Sequence, residues 1–281
     1  MSSSSENFRS REFPMTEEDY QFLRQLAGRE TGIELSEAKR EMVYSRLVRR
    51  IRSLGLMDFA GYCHYLEKNK HLELTHFVNA ITTNLTSFFR EGHHFEALRT
   101  TLLPEIIKQN AQRRSLRIWS AGCSTGEEPY SLAMTLQDSG LCKGWDAKIL
   151  ATDVDSNVLA HATAGQYNRE RIQGLPQDLQ QRHFVRTERE EMVQVDPRIS
   201  AWVTFRQLNL LHEWPMSGPF DIIFCRNVVI YFSKDTQRQL FDRFASLMAV
   251  GGYLCIGHSE TLHGITDRFE SLGRTIYRKR F

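Results

Sequence analysis

The chain is short of the features that assign a protein quickly. Its basic and acidic residues nearly cancel, leaving a formal charge of +2, so a general nucleic-acid role has no support and any basic function must come from a local cluster. No apolar run approaches the roughly 18 residues that a spanning helix needs. The five cysteines (Cys63, Cys123, Cys142, Cys225 and Cys255) are scattered, with no Cys-x-x-Cys pair. They suggest neither a zinc site nor a disulfide framework, and no metal is expected; a reducing, cytoplasmic setting suits them. The start, Met1-Ser2-Ser3-Ser4-Ser5-Glu6, lacks the charged and apolar regions of a secretory signal, and residues 1–12 are expected to form a disordered tail. Two nucleotide signatures are also missing: there is no Gly-Lys-Ser/Thr and no Gly-x-Gly-x-x-Gly.

What is present is ordinary for a globular chain: 281 residues, 41% of them apolar, enough for a large domain with a small one beside it. Residues 13–82 read as helices. Thr16 with Asp19 resembles a capping box, and Ser36 and Asp58 suit the starts of further helices. Val43, Leu47, Ile51 and Leu54 recur at i, i+4, i+8 and i+11, one buried stripe. Lys39, Arg46, Arg49 and Arg50 cluster on another side of the same helix. A fourth helix containing Phe77, Val78 and Ile81 leads into 83–95, expected to be a linker.

The pattern changes in 96–281. Apolar strands at 116–121, 148–152, 204–208, 220–225 and 253–257 alternate with helices at 127–139, 156–164 and 236–248, which predicts a parallel sheet covered on both faces. Alternation in 274–281 predicts an edge strand. Short apolar segments at 183–186, 192–195 and 202–205, too close together for helical crossovers, predict an antiparallel β subdomain inserted at 166–206.

The most telling stretch is Arg117 to Ser131. A strand enters a turn of small residues, and a helix opens with Glu127 and Glu128. A phosphate site wants bare N–H groups at a helix N-terminus, and this turn puts carboxylates there. It therefore suits a cationic or neutral nucleoside, and S-adenosylmethionine, with its sulfonium and ammonium groups, fits. Other polar residues fall at strand ends, where open α/β sheets bind ligands. Gly122 and Gly126 allow close approach of the backbone. Asp153 is placed to accept ribose hydroxyls. Asn209 and Leu210, Arg226 and Asn227, and His258 to Glu260 follow other strands.

Thr83 to Glu91, Ser120 to Ser131, Ala151 to Asp155, Phe224 to Phe232 and Gly257 to Glu260 together closely resemble the CheR family of chemotaxis receptor methyltransferases, from about Phe13 to the end of the chain. The resemblance implies a small all-α N-terminal domain before a class I (Rossmann-like) S-adenosylmethionine-dependent methyltransferase sheet with an inserted antiparallel β subdomain. It implies transfer of methyl groups from S-adenosylmethionine, leaving S-adenosylhomocysteine, to glutamates on the cytoplasmic helices of methyl-accepting chemoreceptors, in sensory adaptation. Carried over by motif, Asn84, Thr86, Arg90, Gly122, Glu128, Asp153, Asn209, Leu210, Asn227 and Val228 would bind the cofactor. Arg90 and Tyr231 would lie nearest the transferred methyl, and Glu127 would only complement the helix dipole. Lys39, Arg46, Arg49 and Arg50 would dock the receptor. Some members bind a receptor C-terminal peptide at the β subdomain through a longer, glycine-bearing loop. Here Thr187 to Glu191 is short, charged and free of glycine, so no peptide tether is expected. No membrane insertion is expected, and the chain is expected to be a monomer. The alternative is a non-catalytic adaptor that binds S-adenosylmethionine or S-adenosylhomocysteine; a dehydrogenase-like site is disfavoured by the glycine spacing.

Overall fold

The computed structural model describes residues 12–281, so the tail expected over 1–12 lies, apart from Glu12, outside the described residues. The chain divides into two compact units, Met1–Thr82 and Thr83–Phe281.

Among the described residues, the first unit contains four α-helices: α1 (Glu17–Thr31), α2 (Arg40–Ser53), α3 (Phe59–Lys68) and α4 (Lys70–Ile81). Thr16 and Asp19 form the reciprocal capping box that starts α1, and Gly32 ends it in the left-handed conformation. Asp58 caps α3 through Gly61 N–H at 2.7 Å. Ser36 behaves differently from expectation. It precedes a 3-10 turn, Glu37–Lys39, and makes no side-chain cap, so α2 begins only at Arg40. Val43, Leu47 and Ile51 are fully buried, whereas Leu54 lies past the helix end and is half-buried.

In the second unit, α5 (His93–Ala97), a π-helical turn (Leu98–Leu102) and α6 (Leu103–Gln109) lead into β1 (Ser115–Ala121), α7 (Glu127–Ser139), β2 (Asp146–Asp153) and α8 (Ser156–Ala164). Next come β3 (Gln166–Asn168), α9 (Gln177–His183), β4 (Phe184–Arg186), β5 (Met192–Val195), α10 (Pro197–Ser200) and β6 (Val203–Gln207). The chain ends with β7 (Phe220–Cys225), α11 (Lys234–Leu247), β8 (Met248–Ile256), β9 (Phe269–Gly273) and β10 (Ile276–Lys279).

The large sheet has the order β6-β2-β1-β7-β8-β10-β9. Its first five strands are parallel, and β10 runs antiparallel to β8 and β9. Strand periodicity sends Ile222 and Phe224 of β7 into one apolar layer and Ile223 and Cys225 into the other. Both faces are covered, which is why β7 reads as an unbroken apolar run. The chain leaves β1 for β2 on one side and returns as β7 on the other. This reversal opens a crevice beyond the carboxyl ends of β1 and β7.

Two strand expectations are corrected. Ile276–Lys279 is enclosed between β8 and β9, and β9 is the edge. Val203–Gln207 pairs in parallel with β2 and so belongs to the large sheet, as expected for 204–208, and not to the inserted subdomain, as expected for 202–205. The small antiparallel sheet is β3-β5-β4, spanning 166–195.

Candidate active site

The turn after β1 is shaped by its neighbours. Gly122 has φ +86°, and a Cβ added there would come 2.3 Å from Val228 Cγ2. The glycine is needed because the segment after β7 lies against it, as well as for any approach to a ligand. Gly126 opens α7 with φ +96° beneath Ala162 and Tyr167.

Asp153 ends β2 and is 9% exposed. Ser124 N–H donates to its Oδ2 at 2.8 Å and Asp155 N–H to its Oδ1 at 3.0 Å. Burial pushes its carboxyl above the usual range, against the pull of those two donors. Asp155, not Asp153, caps α8, so Asp153 has no capping duty. Asn84 Nδ2 donates to Asp155 Oδ2 at 2.8 Å, and Ser124 Oγ donates to the Asn84 carbonyl at 3.1 Å. Leu208 N–H donates to the Asp153 carbonyl at 2.9 Å, which carries Asn209 and Leu210 to the same end of the sheet. Arg243 fixes the following turn by donating to the Leu210 carbonyl at 2.8 Å and lying 3.8 Å above the Trp214 ring.

Beyond β7, Glu260 replaces missing backbone partners. Its Oε2 accepts N–H from Gly257 and Asn227, and its Oε1 from Val228, Val229 and Ile230, at 2.5–3.4 Å. The segment holds Asn227 at φ +59°, the Val228 that covers Gly122, and the half-buried Tyr231 at the end of a 3-10 turn. Arg90 reaches this segment from the other side, donating to Asn227 Oδ1 at 3.1 Å and to the Leu85 carbonyl at 2.7 Å. Thr86 contributes its carbonyl, which accepts from Arg171 at 2.9 Å.

The charge centre is Arg226, only 6% exposed. It donates to Glu128 Oε2 at 3.0 Å, lies 3.4 Å from Glu91 Oε2, and donates to the Arg90 carbonyl. Ser120 Oγ donates to the other oxygen of Glu128 at 2.7 Å. The two carboxylates move in opposite directions. Burial raises Glu128 despite Arg226. Burial also opposes ionisation of Glu91, but His258, Arg226 and Asn227 outweigh it and draw the carboxyl down to about 2. Buried His94 is pushed down to about 3 by desolvation first and the Arg226 charge second, and stays neutral at pH 7. Glu91, His93 and His94 bring ligand atoms within 4.8 Å of one another, but Arg226 already supplies the positive charge there.

Both acid-side shifts carry the same sign for stability. A depressed Glu91 stabilises the fold above its unfolded value of about 4.5, and that contribution is lost as pH falls toward 2. A depressed His94 costs stability as pH falls from about 6.5 toward 3, because only the unfolded chain takes up the proton. Glu91→Gln is therefore expected to lower Tm at pH 7 and to flatten the fall in Tm between pH 4.5 and 2. Melting curves across pH 2–8 check this, and parallel curves for variant and wild type would refute it.

Sequence reasoning missed three members. Glu127 was assigned to the helix dipole alone, but its side chain is fully buried and paired with Arg171 and Thr125. Glu91 ends the Thr83–Glu91 stretch, and nothing in its sequence position signals a role. Arg226 was noted only as a strand-end residue. The available signal was a charge continuing the fully buried run Phe224-Cys225.

The site is net acidic. Glu91, Glu127, Glu128, Asp153, Asp155 and Glu260 outnumber Arg90, Arg171 and Arg226. A turn without a Cβ at Gly122, strand-end carboxylates and a parallel sheet with a reversal fit a nucleoside bearing positive charge, and not a polyphosphate. This fold and site define a class I S-adenosylmethionine-dependent methyltransferase. A family model described as the SAM-binding domain of CheR methyltransferase matches residues 84–278, and one described as its all-alpha domain matches residues 18–82. The chain belongs to the CheR methyltransferase family. It is 44% identical over 271 residues to the chemotaxis protein methyltransferase of Escherichia coli (strain K12), covering 94% of this chain and 91% of that one. It is 44% identical over 274 residues to chemotaxis protein methyltransferase 2 of Pseudomonas aeruginosa, covering 96% of each. With the chemotaxis protein methyltransferase of Borreliella burgdorferi it shares 39% over 254 residues, covering 88% and 89%.

Proposed function

We propose that this protein methylates glutamate side chains on the cytoplasmic helices of chemoreceptors, giving glutamate methyl esters. The observation that carries the reading is the half-buried Arg90, bonded to Asn227 beside the Gly122–Val228 contact. An arginine there suits a carboxylate acceptor. The names of the chemotaxis relatives support receptors as the acceptor class. When bound, S-adenosylmethionine supplies a methyl group on a sulfonium, already electrophilic.

The chain's own residues then have modest tasks. A glutamate acceptor with a pKa near ~4.3 is ionised at neutral pH, so no side chain has to remove a proton. Glu128 and Asp153 would hold the amino-acid and ribose parts of the cofactor. Asn84, Thr86, Asn209, Leu210, Asn227 and Val228 would enclose the rest. Arg90 would orient a carboxylate and Tyr231 would hydrogen-bond near the reacting centre. Orientation of this kind can supply about 7–11 kcal/mol.

The test is transfer of labelled methyl from S-adenosylmethionine to receptor-bearing membranes, recovered as base-labile ester. A protein that binds S-adenosylhomocysteine yet transfers nothing would be an adaptor instead. Arg90→Ala and Tyr231→Phe are each expected to lower turnover at least tenfold, and wild-type turnover in both would remove them from the catalytic assignment.

The docking surface needs revision. Arg50 makes a two-pronged pair with Glu73, whose side chain is fully buried and which also accepts from Tyr62. Arg46 donates to the Thr82 and Ala80 carbonyls at the end of α4. These two arginines serve the helical unit itself. Arg49, exposed on the same helix, suits receptor docking better, whereas Lys39 is half-buried and donates to the Glu34 carbonyl at 3.3 Å. Arg49→Glu is expected to raise the apparent KM for receptor several-fold at low salt with Tm unchanged. Arg50→Glu should instead lower Tm by several degrees, because it faces the buried Glu73. Melting curves and initial rates separate the two. The Thr187–Glu191 connection gives no support for a receptor C-terminal peptide at the small sheet, and saturable binding of such a peptide in calorimetry would reverse that reading.

A further inference from the structure

Arg171 lies in the 3-10 turn Arg169–Ile172, directly after β3 of the small antiparallel sheet. Its Nη2 donates to the Thr86 carbonyl at 2.9 Å and also to the Glu127 carboxylate. Glu127 is the first residue of α7 and is completely buried, and its other oxygen accepts from Thr125 Oγ1 at 2.6 Å. Two further contacts join the same small sheet to the same two segments. Tyr167 of β3 donates to the Thr125 carbonyl at 2.6 Å. Phe88 meets the rings of Tyr167 and Phe184 edge-on, at 5.0 Å and 5.2 Å.

We propose that Arg171 is a positioning residue for cofactor binding, acting through Thr86 and Glu127, and that the small antiparallel sheet is thereby a structural part of the cofactor site. This rests on the cofactor reading given above. The residues Asn84, Thr86 and Arg90 come on a segment without helix or strand. Such a segment keeps its geometry only as well as its anchors do. One guanidinium bonds both that segment and the first turn of α7, the helix that carries Glu128. It also neutralises Glu127, a charge the interior tolerates only when paired. The Thr125 and Tyr167 hydroxyls can satisfy hydrogen bonds in this region but cannot supply that charge.

The test is calorimetric titration of S-adenosylhomocysteine into wild type, Arg171→Gln, Arg171→Lys, Glu127→Gln and the Arg171→Gln/Glu127→Gln double variant, with melting curves in parallel. Arg171→Gln is expected to weaken binding at least tenfold, and Arg171→Lys to recover part of the loss. The double variant should bind no more weakly than Arg171→Gln alone, because both changes cut the same link. In rate measurements the KM for S-adenosylmethionine should rise by a larger factor than kcat falls. Affinity within twofold of wild type in Arg171→Gln overturns the proposal, whatever happens to Tm, and assigns the residue to stability alone. If Arg171→Gln does not fold, Arg171→Lys decides: a threefold or larger loss of affinity at unchanged Tm supports the role, and wild-type affinity overturns it. A wild-type protein that takes up no S-adenosylhomocysteine removes the cofactor reading and this proposal together, whereas a loss confined to the variants leaves that reading standing.

Discussion

Replacing Arg226 by methionine is expected to lower Tm by about 10 °C and to abolish measurable binding of S-adenosylhomocysteine. The side chain is 2% exposed and serves two carboxylates, Glu128 and Glu91, that are themselves only 12% and 10% exposed. Methionine fills much of the volume but removes the cation that faces both. Breaking a buried pair in this way costs about 3–5 kcal/mol, and in a chain of this size each kcal/mol moves Tm by about 2–4 °C. The variant also releases the Arg90 carbonyl, so the segment with Arg90 loses an anchor beside the proposed methyl-transfer site. Lysine keeps the charge but cannot span both carboxylates with one planar group, and Arg226→Lys should fall between. The deficit should shrink as pH drops into the carboxylate range, because protonation removes the uncompensated charges. Calorimetric melting at pH 5 and pH 8 checks both the size and the pH trend. A methionine variant within 1 °C of wild type at pH 8 would show that Arg226 does not hold the centre together.

Gly122→Ala is expected to weaken S-adenosylhomocysteine binding by about a hundredfold with a smaller effect on Tm. The added methyl would stand 2.3 Å from Val228 Cγ2 at a backbone angle that side chains avoid. A left-handed backbone alone costs about 1–2 kcal/mol for a residue with a Cβ. The contact must then be relieved by parting the turn after β1 from the segment after β7, the two walls of the crevice. A second substitution separates the two costs. Val228→Ala in the Gly122→Ala background removes the colliding methyl and should restore part of the affinity, leaving the backbone strain. Titrations of the single and double variants measure this. If the double variant binds no better than Gly122→Ala, the clash is not the cause.

The parts of this architecture that were legible from sequence are those encoded by near neighbours in the chain. The capping box at Thr16, the apolar strands and the turn around Gly122 each announce themselves within a dozen residues. The strand-end logic then gathered Asp153, Asn209 and Asn227 without any knowledge of pairing. Long-range charge pairing stayed hidden. Arg226 meets Glu128 across 98 positions and Arg171 meets Glu127 across 44, and an isolated charged residue carries no record of its partner. Arg50 looked like a surface residue because Glu73 gives no sign in sequence of being buried. Edge strands were obscure for another reason. Four of the five residues of β9 are exposed, so its sequence resembles a loop, and the alternation of β10 beside it reads as the border. Likewise Val203–Gln207 has a half-exposed alternation that an antiparallel hairpin would show equally well.

The Glu260 carboxylate has a consequence for ligand choice. In proteins that grip nucleotide phosphates, a run of consecutive peptide N–H groups at a strand end forms a cradle for an external anion. The N–H groups of 227–230 make such a run here, and a side chain of the same molecule already fills it. The cradle is thus filled by a carboxyl group of the chain itself, built in by sequence. An incoming polyphosphate would find the cradle occupied and further carboxylates along the crevice. A ligand with a positive centre meets no such competitor, so a preference for it over a polyphosphate is built partly into the contact between Glu260 and the backbone of 227–230.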